Sequence, residues 1–337
     1  MSADKTRAGS DLREPRVAPS RSRGAGERLG PAGKAPRFEE ELVNFAEITE
    51  IELRILRRMK EYTLGDHGSV FHGTGVDFVG LRDWQAGDRM SSIDWPQSTL
   101  TNFTPMVVRD YEQPGTAPIV VVADQSPSTR CGAVGVPIAA GIARAMATIG
   151  LSAVYFQDMF GIITFDQGFA RMAALRPRVG RGHVIHCLDG YQGRVSMEDV
   201  RSGVRLATTI GGHLRRTTLL PVISDFLFED ASARIKELAE LSSVHDVFLV
   251  MIDSAFAFEL PDISAGWINA FDIETGESRL MSRRELRSLA SRVRAWQDGL
   301  EREAHQRDLD VLRLGVDEEK SLPALLEFVM VRRLRKA

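Results

Sequence analysis

From residue 119 onward the chain alternates short β-branched runs with longer segments of helical spacing, and this alternation limits the available folds more than any other feature. Strands are expected at 119–123, 160–165, 218–223, 247–252, 267–272 and 309–314, with a hairpin carrying 160–165 into 169–175. Between them the spacing of apolar residues predicts helices at 136–157, 183–188, 197–215, 231–241 and 283–306, and a last one at 321–335. Strands that return after a helix pair in parallel through right-handed crossovers. The expectation is an α/β fold built on a doubly wound, mostly parallel sheet occupying residues 115–337.

The residues ahead of that block divide by composition. Residues 1–36 are rich in Gly, Pro, Ser, Ala and Arg without periodicity, which reads as a disordered basic arm. Residues 37–64 read as a helical lead-in, with Leu42, Phe45, Ile48, Ile51 and Ile55 near helical spacing and Gly65 ending it. Residues 65–114 carry glycines, alternating apolar residues and a turn at Ala86, Gly87 and Asp88 between strand-like runs at 78–84 and 93–95. A small β-rich subdomain anchored by Trp84 and Trp95 is expected there.

One segment, 135–156, is apolar enough to span a bilayer, with Arg144 as its one charge. An arginine near mid-span costs roughly 2.5 to 3.5 kcal/mol on insertion, and the flanking strands offer a sheet to cover, so a buried helix is expected and no membrane span. The N-terminus shows no apolar signal segment. Cys131 and Cys187 form neither a CxxC pair nor a Cys/His cluster, so no disulfide framework or zinc site is expected, and a reducing, cytoplasmic setting fits best. A formal net charge of −3 gives no global attraction to nucleic acid or anionic membrane.

The chemistry gathers in "VVVADQSPSTR", residues 120–130. Ligands of an open parallel sheet collect beyond the carboxyl ends of its strands, where strand order reverses. Asp124 ends one strand, and Asp225, in "PVISDF", ends another. Residues two apart in extended chain point the same way, so Asp124, Ser126 and Ser128 can turn their oxygens into one space, and Pro127 keeps Ser126 extended. Two carboxylates and two hydroxyls are hard oxygen donors suited to Mg²⁺ or Mn²⁺.

"DQSPS" resembles the metal-ion-dependent adhesion site of von Willebrand factor type A domains, Asp-x-Ser-x-Ser completed by a distant Thr and a distant Asp, the latter matched by Asp225. Longer stretches, "GVDFVGLRDWQAGDRMSSIDWPQS", "FGIITFD", "VISDF" and "AFDIETGE", are similar to the bacterial family called domain of unknown function 58, over about residues 50–335. The resemblance implies a von Willebrand type A-like fold preceded by a β insertion. It also implies a MoxR-type AAA+ ATPase as partner, since many relatives are encoded beside one. The metal-site Thr is expected within 174–184, "ALRPRVGRGHV", which holds no Ser or Thr. It holds Arg176, Arg178 and Arg181 instead, and a guanidinium against Asp124 would replace the cation's charge. Mg²⁺ is therefore expected to be weak or absent, with Asp124 and these arginines forming a partner-binding surface.

Three function classes compete. The first is a non-catalytic protein-binding or assembly module acting through a degenerate adhesion-like site. The second is a metal-dependent hydrolase or phosphatase using Asp124 and Asp225, although aspartyl-phosphate chemistry usually wants an acid where Ser126 stands, and no G-x-S-x-G elbow surrounds the serines. The third, a nucleic-acid binder, rests on the arm and the terminal "VRRLRKA", which a charged helix end explains equally well. The first is the reading adopted.

Overall fold

A seven-stranded sheet runs through the molecule in the order β13-β10-β9-β3-β6-β7-β8. The computed structural model describes residues 41–64, 77–84, 93–112 save Thr101, 118–258 save 134, 135, 167, 202 and 204, then 267–271, 278–315 and 318–334. The basic arm and residues 65–76 and 85–92 lie outside the described residues. Glu40–Ala337 form one compact unit.

The strands are β1 (Asp77–Asp83), β2 (Val107–Glu112), β3 (Ile119–Asp124), β4 (Gly132–Ala133), β5 (Val136–Pro137), β6 (Phe160–Asp166), β7 (Arg171–Arg178), β8 (Glu198–Val200), β9 (Leu219–Ser224), β10 (Asp246–Ile252), β11 (Trp267–Phe271), β12 (Ser278–Ser282) and β13 (Asp310–Leu314). The helices are α1 (Phe45–Leu64), α2 (Trp95–Leu100), α3 (Ile138–Tyr155), α4 (Arg181–Tyr191), α5 (Leu206–His213), α6 (Ala231–Leu241), α7 (Arg283–His305) and α8 (Glu318–Leu334). From β13 through β6 all pairings are parallel, and β7 and β8 complete the sheet antiparallel. The doubly wound, mostly parallel α/β architecture read from the alternation is the one observed.

Strands β3, β9 and β10 are buried along their whole length, as both faces of the sheet are covered. One face carries residues of α1, α3, α4 and α8, among them Ile51, Ile142, Leu188 and Leu325. The other carries α5, α6 and α7, through Ile210, Ile235 and Leu300. Helix α3 is the membrane-length apolar segment, and 78% of it is buried within the fold. Its Arg144 pairs with Glu47 of α1 at 3.0 Å, and Thr148 and Ser152 return their hydroxyls to backbone carbonyls of the same helix. The charge and both hydroxyls, which would be costly in lipid, thus find partners within the protein.

Several elements differ from expectation. The helix expected at 197–215 is the edge strand β8 followed by α5, whose eight residues begin only at Leu206. Glu198 sits in β8, where its carboxylate holds Arg176 of β7 across the sheet edge. The expected run at 267–272 does form a strand, β11, but pairs with β12 outside the main sheet, because β13 already covers the edge of β10. In the β-rich region, β1 and β2 pair antiparallel and Ile93 bridges Val108, but Trp95, the end of the strand expected at 93–95, opens the helix α2. Asp94 starts that helix by accepting from the Gln97 amide at 3.2 Å. Trp95 is 52% exposed on it and does not anchor a core.

Candidate functional site

The order of strands reverses between β3 and β9, so the loops after these two strands flank the crevice where ligands of such sheets gather. Asp124, the last residue of β3, is 2% exposed. Its Oδ1 accepts from the Ser126 amide at 2.9 Å and from Ser126 Oγ at 2.6 Å, while Oδ2 accepts from Ser224 Oγ at 2.6 Å. Ser224 also receives the Phe226 amide at 2.8 Å, so one carboxylate joins the loop after β3 to the loop after β9.

Burial raises the Asp124 pKa above its ordinary value, the serine donors work against that rise, and the nearby charge of Asp166 at the end of β6 adds to it. Tyr191, the last residue of α4, is fully buried and donates its hydroxyl to the Asp124 carbonyl at 2.8 Å. Gln125 in turn donates to the Tyr191 carbonyl at 2.7 Å, and the Arg130 guanidinium lies 5.9 Å from the centre of the Tyr191 ring. Burial and the Asp124 charge push the Tyr191 phenol well up, so it serves as a hydrogen-bond donor.

The loop after β3 closes into a 3₁₀ turn, Pro127–Arg130, where Thr129 Oγ1 donates to the Ser126 carbonyl at 2.7 Å. Ser128 lies half-buried in this turn and forms no side-chain hydrogen bond among the described residues. After β9, Asp225 is 3% exposed and its Oδ1 accepts from the Leu227 amide at 3.2 Å. Phe226 adopts φ +55, a left-handed conformation that a bulky residue holds only when its surroundings enforce it. Here the enforcing groups are Ser224 on its amide and Trp296 Nε1 on its carbonyl at 2.9 Å. Gln297 of α7, fully buried, donates to the carbonyls of Asp225 and Ile252, both at 2.9 Å, tying the helix to the ends of β9 and β10.

The three arginines lie elsewhere. In the β6/β7 hairpin Arg178 faces Phe160 at the start of β6, whereas Asp124 is in register with Phe165 near its end. Five residues of strand, about 16 Å, separate the two levels. Arg176 pairs with Glu198 at 3.1 Å and Arg181 with Glu52 of α1 at 2.9 Å. A guanidinium from this segment replacing a cation at Asp124 is therefore ruled out, because the hairpin reverses the chain and carries 174–184 to the opposite end of the sheet. For the same reason, the lack of a threonine in that segment says nothing about the site. The side chain that does arrive from α4 is Tyr191.

No group of three or more His, Cys, Asp or Glu placed to hold a metal occurs among the described residues. The Asp124 carboxylate accepts three donors, and the Ser126 and Ser224 hydroxyls are turned onto it. Among the described residues, the one thiol on α4 is not an activated nucleophile. Cys187, on α4, is buried and its thiol is pushed up to about 12.

A family model described as "Protein of unknown function DUF58" matches residues 80–306, two-thirds of the chain and every strand of the main sheet except β13. The chain belongs to this family. As a DUF58 protein it is also similar to solved structures: BatB, a conserved hypothetical protein from Bacteroides thetaiotaomicron (12% identity, 66% of this chain and 100% of that one, TM-score 0.37), and an aerotolerance-related membrane protein from Bacteroides fragilis NCTC 9343 with multiple mutations to serines (15% identity, 66% and 100%, TM-score 0.37). A third is the pilus adhesin SpaC from Lactobacillus rhamnosus GG in its open conformation (10% identity, 68% of this chain and 31% of that one, TM-score 0.32). No curated protein matches the chain.

Of the residues singled out in sequence, the DUF58 site brings Asp124, Ser126, Ser128 and Asp225 to one sheet edge. Sequence reasoning missed Ser224, Tyr191, Trp296 and Gln297. Ser224 carried a usable signal, a hydroxyl at the end of a buried strand directly before an acid. The other three reach the site by helix packing and carried none.

Proposed function

We propose that this protein is a non-catalytic binding module whose two loops at the carboxyl edge of the sheet dock a protein partner, and that the Asp124 network serves to hold those loops in shape. The observation that carries this reading is the triple acceptance at Asp124. A buried carboxylate that accepts three donors is built into the frame of the two loops, while the turn it supports leaves Pro127 exposed and Ser128 half-buried. The strained Phe226 points the same way, since such conformations concentrate at ligand clamps and switch regions.

A MoxR-type AAA+ ATPase is the partner that the family resemblance recommends, and the adhesion-like site works without Mg²⁺ in this proposal. Crosslinking and purification of the tagged protein from its own cell should recover such an ATPase, and Ser128→Arg, which places a bulky cation on the turn, should abolish the recovery without altering the melting temperature. Recovery unaffected by Ser128→Arg would refute docking at this edge. The competing phosphatase reading requires p-nitrophenyl phosphate hydrolysis that disappears in Asp124→Asn.

A further inference from the structure

A second surface lies at the opposite end of the sheet, where the loops entering β9 and β10 run side by side. There an open trough of about 690 Å³ separates α5 and its following loop from the end of α6. Its walls carry Arg205, Arg215 and Arg216, and its floor is formed by Leu241, Val244 and His245. Arg205 is committed to Glu240 across the trough. Arg215 and Arg216 are exposed and make no ion pair among the described residues. A chain whose formal charge is −3 thus concentrates three guanidiniums against one carboxylate in this place, a local reversal of sign that attracts anions.

The floor has the other half of a recognition surface. Val244 is 60% exposed, and Leu241 lies beneath it at the end of α6. His245 is 4% exposed, with its Nδ1 left without a hydrogen-bond partner, and burial holds its imidazole below the ordinary histidine value and therefore uncharged at neutral pH. A simple anion would leave the apolar part of this surface unused. An open trough with cationic walls and an apolar floor matches a length of chain that carries carboxylates and aliphatic side chains together.

We propose that this trough binds an acidic polypeptide segment of a partner, with Arg215 and Arg216 receiving its carboxylates and Val244 its apolar side chains. Strand β9, about 16 Å from Leu219 to Ser224, separates the trough from the Asp124 network, so the two ends of the sheet can be engaged independently.

Fluorescence anisotropy on the full chain tests the proposal, with a labelled short peptide of alternating Glu and Leu as probe and its Gln-for-Glu counterpart as control. The acidic peptide should bind saturably and weaken with added salt. Its affinity should fall by about tenfold or more in the Arg215→Ser, Arg216→Ser double variant and in Val244→Asp, but stay unchanged in Ser128→Arg. Arg215, Arg216 and Val244 are exposed and Ser128 is half-buried, and unaltered melting temperatures will show that the variants fold. Equal binding of the Gln control, indifference to the arginine variants, or displacement of the peptide by millimolar inorganic phosphate would each overturn the assignment, the last by revealing a plain anion pocket. Failure of ATPase recovery in the Ser128→Arg experiment leaves this result untouched, because that variant alters the other end of the sheet.

Discussion

Asp124 shows how the residues of a short motif can be legible while the partners of their side chains are not. The two-residue spacing correctly placed Asp124 and Ser126 on one side of an extended segment, and it brings the hydroxyl onto the acid. Replacing Asp124 by alanine strands the Ser126 amide and two hydroxyls, and at roughly 1–3 kcal/mol for each orphaned buried donor a loss of about 3 kcal/mol or more is expected in urea denaturation. Asn keeps one acceptor for Ser126 and offers Ser224 a donor that its second lone pair can take, so Asp124→Asn should cost no more than about 1.5 kcal/mol. The pH dependence gives an independent reading. With its pKa raised, folded Asp124 holds a proton more tightly than the unfolded chain does, so its contribution is most favourable below the ordinary value of 3.8 and is lost as pH rises through the folded value. Wild type should therefore lose stability relative to Asp124→Asn on going from about pH 4 upward, measured as the difference of their urea midpoints at each pH. A constant difference would contradict the raised value.

Among the elements, those with long periodic or purely apolar patterns were readable and those decided by a partner were not. Helix α3 and strands β3, β6, β9 and β10 fall within a few residues of their expected limits, since each has a composition only one environment tolerates. Residues 197–215 were misread because β8 is a strand only by virtue of β7 beside it, and three residues carry too little pattern to announce that. At 95–100 the order Asp94, Trp95, Pro96 was in fact a helix start, outweighed in the reading by the nearby strand signals. Packing overrides propensity at Gly150 as well. In isolation Gly150→Ala should favour α3 by about 1 kcal/mol. Yet the new Cβ would lie 2.7 Å from Val184 Cγ1 on α4 and 3.1 Å from Phe160 Cζ. Overpacking costs roughly 1–3 kcal/mol, so a net loss of about 1 kcal/mol is expected by chemical denaturation. A gain would show that α3 and α4 can separate freely.

For the molecule as a whole, the alternation of strand and helix was enough to give the sheet, while closure of its outer edge depends on residues whose role was misjudged. Arg332, counted in sequence with a cationic helix end, is 16% exposed and pairs with Asp246 at 2.8 Å and with Asp310, fastening α8 to the beginnings of β10 and β13. Because Asp246 is itself buried, Arg332→Ala should cost about 3 kcal/mol, seen as a lowered melting temperature, whereas an exposed pair such as Arg176 with Glu198 should contribute less than about 1 kcal/mol. The central helix sets a different requirement. Leu325, Leu326 and Val329 of α8 help to cover the face of the core to which α3 belongs, and they leave the ribosome roughly 160 residues after α3, a delay of about 8 to 30 s at ordinary elongation rates. Throughout that interval a bilayer-length apolar helix lacks the cover that α8 gives its face of the core, so the nascent chain is exposed to aggregation until α8 is made.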